Sequence, residues 1–352
     1  MPTAAFLLAA VLTAPPVALE EVWTETVAAR GFAPLTFSPD GSRLICAGAA
    51  VDGSPTLGVR NAADGSLVRS LRFDARPAGF AFVPGGGLSA AGRDVVRWTE
   101  DFEDTRVEGP PLPGPAVWAS ASADGAVTAF AGTVGEVSDD VSPPGYLQIR
   151  RAGADPVTVE LDEAVDGLFV SADGRLVWTQ KTLSETGVRA YDLAGRPVLG
   201  PTVGRVGGNA EPGVATGFGP LPASEGAVIA LQFGPEPLGG PAVADRARAI
   251  GADGEVRWRV PADGQSGRLI AAAVSPDDRL LATSGGLSGL VPQYQLMVRS
   301  LPDMTELAVF RPLPFVKPPS YFRLAFSPDS RLLAAQTLDG RVTVYRVPGD
   351  SD

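Results

Sequence analysis

The chain has 352 residues, of which 45% are hydrophobic, and its 42 glycines and 33 prolines make turns frequent without the loss of apolar residues that accompanies disorder. Its formal net charge is -11 and its arginines are dispersed, which disfavours a nucleic-acid partner because phosphate binding needs a clustered basic surface. The sequence contains no histidine, which excludes Ser-His-Asp and Cys-His nucleophile systems and histidine-ligated zinc, non-haem iron or haem within this chain.

The segment from Ala4 to Ala14 is apolar except for one threonine. It is too short to cross a bilayer as a helix but suits the core of a signal peptide. No basic residue precedes it, and Pro16 stands where a small residue is preferred, so a first strand or a wrongly chosen start codon is the alternative. We expect residues 1–18 to be a leader and residues 19–352 to form one exported domain, periplasmic or extracellular. Without a working signal the protein would be cytoplasmic.

One local pattern then returns at intervals of roughly 40 to 50 residues, a period typical of β-propellers. Its clearest copies contain Ser38-Pro39-Asp40-Gly41 and Ser327-Pro328-Asp329-Ser330, and related copies lie at 80–86, 121–125, 169–176 and 273–281. Proline presets φ at the first corner of a turn, and Asp-Gly accepts the strained angles that follow. Consecutive apolar residues come next, as in 280–282 and 332–335, which is typical of strands buried on both faces.

A second turn follows in most units, for example at Asp64-Gly65 and Asp253-Gly254. Two hairpins make four strands, and the predicted units are residues 33–72, 78–107, 116–161, 165–199, 213–260, 268–310 and 320–347. The last unit has three strands only. We expect Glu20 to Val27 to supply its fourth strand by pairing with Val342 to Val347, because an unpaired edge would otherwise remain.

These repeats resemble the Ser-Pro-Asp-Gly type of the WD40-like propeller family, over nearly everything after the leader. The resemblance implies an all-β fold: a monomeric seven-bladed β-propeller of four-stranded antiparallel blades, closed by an N-terminal strand that completes the last blade. No unit contains Gly-His or ends a strand in Trp-Asp, so the family's Asp-His-Ser-Trp network is not expected. Trp98 and Trp258 fall near that strand end and are interpreted as packing aromatics. Cys46 is interpreted as a small buried hydrophobe rather than a reactive thiol.

In such propellers the tight turns share one face and the remaining connections share the other. The latter are long here, at 49–56, 132–146, 180–187, 200–212, 233–241, 284–294 and 311–321. Binding residues collect on long loops of a rigid scaffold, although neutral insertion is an equal alternative. The predicted partner-binding residues on these segments are Phe315, Lys317, Tyr321, Phe322, Tyr146 and Tyr294. The alternative for the cluster from Phe315 to Phe322 is packing at the entrance to the last blade.

Two patterns point toward other chemistry. Glu136, Asp139 and Asp140 offer oxygen ligands of the kind that Ca²⁺ prefers, but they lack the spacing of an EF-hand loop, so a solvated acidic loop is favoured and no metal is predicted. The segment from Ser171 to Trp178 resembles a sialidase Asp-box with its glycine one residue too early, and we interpret it as another blade turn. No cofactor is predicted.

No catalytic constellation emerges from the residues. The sequence therefore predicts a non-catalytic scaffold that binds a protein or peptide through its long-loop face, with no membrane span and no nucleic acid. The alternative is a carboxylate-dependent enzyme acting on a sugar or small polar substrate in the central channel, for which 40 acidic residues supply too many pairs to single one out. A third interpretation is a subunit of a cell-envelope complex.

Overall fold

The computed structural model describes residues 17–26, 34–49, 55–73, 79–134, 143–162, 164–165, 167–181, 187–199, 213–221, 226–233, 245–251, 253–261, 267–287, 293–301, 303–310, 321–337 and 339–348. These residues form strands and turns and contain no helix. The strands are β1 Val17–Ala18, β2 Glu20–Thr26, β3 Thr36–Phe37, β4 Arg43–Ala49, β5 Pro55–Asn61, β6 Leu67–Arg72, β7 Gly79–Val83, β8 Gly86–Ala91, β9 Asp94–Trp98, β10 Thr105–Val107, β11 Ala116–Ala121, β12 Val127–Thr133, β13 Gly145–Arg151, β14 Val157–Leu161, β15 Gly167–Val170, β16 Leu176–Lys181, β17 Gly187–Asp192, β18 Pro197–Leu199, β19 Gly213–Leu221, β20 Gly226–Phe233, β21 Asp245–Ile250, β22 Val256–Pro261, β23 Gly267–Val274, β24 Leu280–Leu287, β25 Gln293–Ser300, β26 Glu306–Phe310, β27 Tyr321–Phe326, β28 Leu332–Thr337 and β29 Arg341–Arg346.

Within the described part of the chain the strands form seven sheets. Sheets 1 to 5 are the successive groups β3–β6, β7–β10, β11–β14, β15–β18 and β19–β22. Sheet 6 contains β23–β26 and β1, and sheet 7 contains β27–β29 and β2. Consecutive strands of each group pair antiparallel in chain order, so the chain is all-β with repeated four-stranded antiparallel sheets. This architecture is consistent with a propeller-like fold.

Each predicted repeat unit falls on one sheet. The largest offset is at the start of the first unit, which was predicted at residue 33 and begins at Thr36. The agreement follows from turn chemistry, because the repeated turns fix where paired strands begin and end. The prediction that these strands are buried on both faces is also confirmed, since six consecutive residues of β12 from Val127 to Gly132 are buried.

The N-terminal strand β2 belongs to the last sheet, as predicted. It pairs antiparallel with β29, with Glu20 opposite Arg346 and Thr26 opposite Arg341. Trp23 is the buried residue of β2, and its Nε1 donates a hydrogen bond to the carbonyl of Ala62 in sheet 1 at 2.9 Å. The strand therefore completes sheet 7 and links it to sheet 1.

A short parallel pairing before β2 was not predicted. Val17 lies opposite Ala308 and Ala18 opposite Val309, which adds β1 to the outer edge of sheet 6. The amide of Leu19 donates to the carbonyl of Val309 at 3.4 Å. One continuous segment thus contacts sheets 6 and 7, and the expected end of the leader falls within it.

The apolar cores lie between neighbouring sheets. Clusters of buried residues join sheets 1 and 2, 2 and 3, 3 and 4, 5 and 6, and 6 and 7, and β15 of sheet 4 contacts β19 of sheet 5. Sheet 7 also packs on sheet 1, where Val342 and Val344 share a core with Leu44 and Cys46. Cys46 is fully buried, and burial raises the pKa of its thiol to about 11, which confirms its interpretation as a small hydrophobe.

The residues described above include no helix that is long and apolar enough to cross a membrane.

Candidate functional site

The two ends of the sheets differ in their connections. In an antiparallel meander, the connections after the first and third strands share one end, and those after the second and fourth share the other. At the first, which we name the turn end, connections are short, such as 84–85, 122–126 and 327–331. At the second, the long-connection end, the strand bounds leave segments such as 200–212 and 311–320.

A repeated serine–aspartate pair builds the turn end. Ser327 Oγ donates a hydrogen bond to Asp329 Oδ1 at 2.6 Å and accepts one from the amide of Leu332 at 2.8 Å. Asp329 Oδ1 also accepts from the amide of Arg331 at 3.1 Å. The same serine–aspartate bond recurs at Ser38 with Asp40, Ser122 with Asp124, Ser171 with Asp173, and Ser275 with Asp277. The segment that begins at Ser171 is therefore a turn between β15 and β16, as predicted.

These hydrogen bonds hold the aspartates in their ionised form. The hydroxyl of Ser38 is the largest influence on Asp40, followed by Ser42, and together they lower the pKa of that carboxyl to about 2. The pKa values of Asp124 and Asp329 are lowered by bonds of the same kind, against the effect of desolvation. The turn carboxylates therefore accept backbone and hydroxyl hydrogen bonds and stabilise their own turns.

A cavity lies where the first strands of six sheets converge. Its volume is about 190 Å³. First strands of neighbouring sheets contact one another, as β7 does β11 and β27 does β3. In six sheets, the first strand or the residue just before it contributes to the lining. One lining residue from each of these sheets, in chain order, is Leu35, Phe80, Trp118, Leu168, Ala271 and Arg323.

Arg323 and Trp118 face each other in this cavity from different sheets. The guanidinium carbon of Arg323 lies 4.8 Å from the centroid of the Trp118 ring, which is a cation–π contact. The Nε1 of Trp118 donates to the carbonyl of Val165 at 3.0 Å, which fixes the ring. The Arg323 side chain borders the cavity and is otherwise surrounded by protein. Because burial removes water from the guanidinium, the pKa of Arg323 is lowered to about 10. The guanidinium remains charged at neutral pH.

A recurring irregularity lies beside both side chains. The pairing register shifts immediately before Trp118 in β11, Gly217 in β19, Ala271 in β23 and Arg323 in β27. A β-bulge of this kind changes the direction of the side chains that follow it. Both residues also occupy the same place in the repeat, four residues before the turn serines Ser122 and Ser327. Small residues occupy the matching position in other first strands or just before them, namely Pro34, Gly79, Gly167 and Ala271.

Two of the predicted partner-binding tyrosines are core residues. Tyr146 is fully buried, and its hydroxyl donates to the carbonyl of Gly114 at 2.9 Å. Tyr321 is 2% exposed, and its hydroxyl lies 2.6 Å from that of Tyr345. Both stand at or near the start of a strand, Tyr146 in β13 and Tyr321 in β27. Both side chains are buried as placed, and the predicted partner-binding role of these two residues stays a prediction.

The other predicted residues have different positions. Phe322 is half-buried and lines the cavity beside Arg323. Tyr294 lies on β25 opposite Gly286, and its side chain is outside the described part. The remaining predictions, namely Phe315, Lys317, Glu136, Asp139 and Asp140, fall outside the described residues. Among the residues that the structure describes, no group of three or more His, Cys, Asp or Glu side chains is arranged to hold a metal ion.

Sequence reasoning did not single out Arg323 or Trp118. The available signal was an arginine inside the otherwise apolar run Tyr321 to Phe326, since an isolated charge in a buried strand needs a specific environment. The cavity also lies toward the long-connection end, because Gly79 and Phe322 stand at or near the start of their first strands. Comparison with known proteins found no matching family model and no matching curated protein.

Proposed function

We propose that this protein is a non-catalytic scaffold, a closed seven-bladed β-propeller that binds a protein or peptide partner at its long-connection end. The observation that carries the proposal is the contrast between the two ends. At the turn end the serines and aspartates bond to their own short turns. The long-connection end carries segments such as 200–212 and 311–320, and binding residues concentrate on such segments when a rigid scaffold positions them.

The packing between the first and last sheets supports the closed ring. Val344 of sheet 7 and Leu44 of sheet 1 belong to one buried cluster. Trp23 of β2 packs in the same cluster and bonds to Ala62 of sheet 1. In the proposed ring, each sheet is one blade and β2 completes the seventh. Joining both chain ends in one blade protects an edge strand that would otherwise remain unpaired.

The chemistry of the cavity favours binding over the enzymatic alternative. A carboxylate-dependent glycosidase needs two carboxyl groups facing one substrate. The described residues that line the cavity contribute the guanidinium of Arg323 and no Asp or Glu. The turn carboxylates, such as Asp40 and Asp329, are engaged in hydrogen bonds at the other end of the sheets.

We also propose that the protein is exported and monomeric. The apolar stretch from Ala4 to Ala14 supports export, because its length suits the core of a signal peptide. The segment from Val17 to Thr26 is compatible with removal of a leader near Ala18. β1 contributes two exposed residues, whereas β2 contributes the buried Trp23.

Paired substitutions at the two ends test the partner-binding role. The partner is first recovered by affinity purification from the native host and identified by mass spectrometry. Its dissociation constant is then measured for the parent, for Phe315→Ala with Lys317→Ala, and for Arg151→Ala with Arg331→Ala as a matched turn-end control. Arg151 and Arg331 are exposed at the turn end. Tyr321 is left unchanged, since truncating a buried aromatic costs about 3–5 kcal/mol of folding free energy.

We expect the first variant to bind about tenfold more weakly or worse, equivalent to about 1.4 kcal/mol, because buried anchors dominate interface energy. The control variant should bind as the parent does, and thermal melts should show both folded. If the first variant bound as tightly as the parent, or if only the control lost binding, the assignment of partner binding to the long-connection end would be overturned. Turnover of a sugar by the parent that one Asp or Glu substitution abolishes would overturn the non-catalytic role.

A further inference from the structure

We infer that the outer edge of sheet 6, formed by β26, is a strand-addition site for an extended apolar segment of a protein partner, which takes the place that β1 holds in the full chain. The inference rests on the leader removal proposed above, because cleavage after Ala18 removes β1 and leaves the edge of β26 open for pairing. It is tested with synthetic peptides on the protein alone, so its failure can be told apart from failure of the partner-binding role.

The pairing of β1 demonstrates that this edge accepts a parallel strand. Val17 lies opposite Ala308, and Ala18 lies opposite Val309. The amide of Leu19 donates to the carbonyl of Val309 at 3.4 Å. Because the N–H and C=O of one strand residue point to the same side, both backbone groups of Val309 point away from β25. An added strand therefore meets one donor and one acceptor at Val309.

The segment that contains β1 divides at the expected cleavage point. Both side chains of β1 are exposed, and within the described part of the chain two residue pairs join β1 to β26. Leu19, in contrast, is 7% exposed and belongs to the buried cluster between sheets 6 and 7, together with Ala308 and Tyr345. Removal of residues up to Ala18 therefore opens the edge of β26 and leaves the neighbouring core in place.

The other outer strands carry features that discourage pairing with another chain. Exposed charges, prolines and short length all protect the edge of a sheet. β18 has three residues and begins with Pro197. The remaining outer strands carry exposed charged residues, namely Arg69 and Arg72 on β6, Arg106 on β10, Glu160 on β14, Arg257 and Arg259 on β22, and Glu20, Glu21 and Glu25 on β2.

β26 lacks this protection over most of its length. Its one charged residue, Glu306, is the first residue of the strand, and its Oε1 lies 3.4 Å from Nη2 of Arg299 on the adjacent strand β25. The four residues from Leu307 to Phe310 are apolar. An unprotected edge of this kind is a template for a further strand. Because neighbouring side chains on paired strands contact each other, apolar residues in the added segment match this edge best, as Val17 and Ala18 do.

The edge also leads to the end of the molecule where we propose that the partner binds. The fourth strand of each sheet runs from the turn end to the long-connection end, and β26 ends at Phe310, where the connection 311–320 begins. A partner seated at the long-connection end can therefore extend a strand along β26. In strand addition, main-chain hydrogen bonds supply affinity and the side chains supply specificity.

The probe is the peptide N-acetyl-Val-Thr-Val-Ala-amide, whose last two residues repeat Val17 and Ala18. Two control peptides each carry one N-methyl group, on the third residue, whose N–H faces β26 in the register of β1, or on the fourth, whose N–H faces away. The protein is isolated from its native host, and its N-terminus is read by mass spectrometry. The full chain from Met1 is the comparison. Binding is followed by the rise in melting temperature and located by hydrogen exchange.

Two proline variants provide a matched pair at sheet edges. Val309→Pro removes the outward N–H of β26, and proline is tolerated where the N–H of an edge strand faces outward. Val107→Pro is the control on β10. The amide of Glu108 bonds to the carbonyl of Val95 within sheet 2, so the N–H of Val107 points away from that sheet.

We expect the peptide to bind the native protein with a dissociation constant of about 1 mM or lower, and the full chain about tenfold more weakly because the tethered β1 competes. Methylation of the third residue and Val309→Pro should each weaken binding about tenfold or more, whereas methylation of the fourth residue and Val107→Pro should leave it unchanged. Exchange of the Val309 amide should slow when the peptide binds. If Val309→Pro does not fold, the methylated peptides and the exchange data decide.

Four outcomes on a native protein that begins at Leu19 would overturn this inference alone. The two methylated peptides could bind equally, the full chain could bind as tightly as the native protein, or protection could appear on strands other than β26. The peptide could also fail to bind at about 10 mM, far above the concentration at which a ligand with the expected affinity saturates its site. A native N-terminus at Met1 or Pro2 would overturn the leader removal and this inference with it.

Discussion

The side chains of Ser38 and Asp40 stabilise their turn through local bonds. The hydroxyl of Ser38 accepts from the amide of Arg43 at 2.9 Å and donates to Asp40, whose Oδ1 accepts from the amide of Ser42 at 3.0 Å. All these groups lie within a few residues of each other. The sequence pattern is therefore sufficient to predict the turn, since the bonds of Ser38 and Asp40 are all local.

Because Asp40 is ionised in the folded protein, we expect the stability of the fold to decrease in acid. Hydrogen bonding lowers the pKa of Asp40 from 3.8 to about 2, so the folded state binds a proton less readily than the unfolded state. Its contribution to stability is therefore present above pH ~4 and is lost as the pH falls through about 2. Melting temperatures measured from pH 5 to pH 2 should fall more steeply for the parent than for Asp40→Asn.

The matched control for this prediction is Asp94→Asn, which changes an exposed aspartate of β9. Its melting temperature should follow the parent across the same range. An Asp40→Asn curve that is parallel to that of the parent would show that the serine–aspartate bond contributes nothing measurable to stability. Because Asp40 is exposed, the effect is expected to be modest and to shrink at high salt.

The direction of a side chain near the start of a strand could not be predicted in the same way. Tyr146, Tyr321 and Arg323 all stand near a long connection, yet Tyr146 and Tyr321 are packed and Arg323 borders a cavity. The difference depends on the neighbouring sheet and on bulges that sequence periodicity does not reveal. The burial of the two tyrosines and the position of Arg323 beside the cavity were observed in the structure.

At the scale of elements, the hairpin units were predictable and β1 was not. The units follow from turns that recur with the period of the repeat. The pairing of Val17 and Ala18 with β26 uses backbone groups, and both side chains are exposed, so no apolar pattern marks it. β2 was predictable because the last unit lacked a strand.

Truncation separates the contributions of these two elements. Of the described residues, a chain that begins at Leu19 loses only β1, and it should melt within about 2 °C of the full chain. A chain that begins at residue 28 also loses Trp23 and exposes the edge of β29, and its melting temperature should fall by roughly 10 °C. The native protein should itself begin near Leu19, which mass spectrometry checks.

The exposed Glu25 supplies a control within β2. Glu25→Ala removes an ion pair with Arg60 at 3.9 Å and should change stability little, whereas Trp23→Ala should reproduce much of the loss. If the chain that begins at residue 28 melted as the full chain does, β2 would not stabilise the fold. An intact Met1 or Pro2 on abundant native protein would contradict export.

At the scale of the whole molecule, the sequence indicated the architecture more fully than the function. A repeat encodes its own turns and cores, but a partner is selected by the shape and charge of a surface assembled from distant segments. The two lysines lie on that surface in the proposed arrangement. Lys181 is the last residue of β16, at the long-connection end, and Lys317 belongs to the connection 311–320.

Amine-directed cross-linking of the purified complex therefore reads out the binding end directly. The parent is compared with a variant that moves its lysines to the other end. In this variant Lys181 and Lys317 become arginine, and the exposed turn-end residues Arg151 and Arg331 become lysine. The exchange keeps the net charge and the number of lysines. We predict cross-links from Lys181 or Lys317 to the partner in the parent and none from the turn-end lysines in the variant. Partner cross-links from residues 151 and 331, with none from 181 or 317, would contradict binding at the long-connection end.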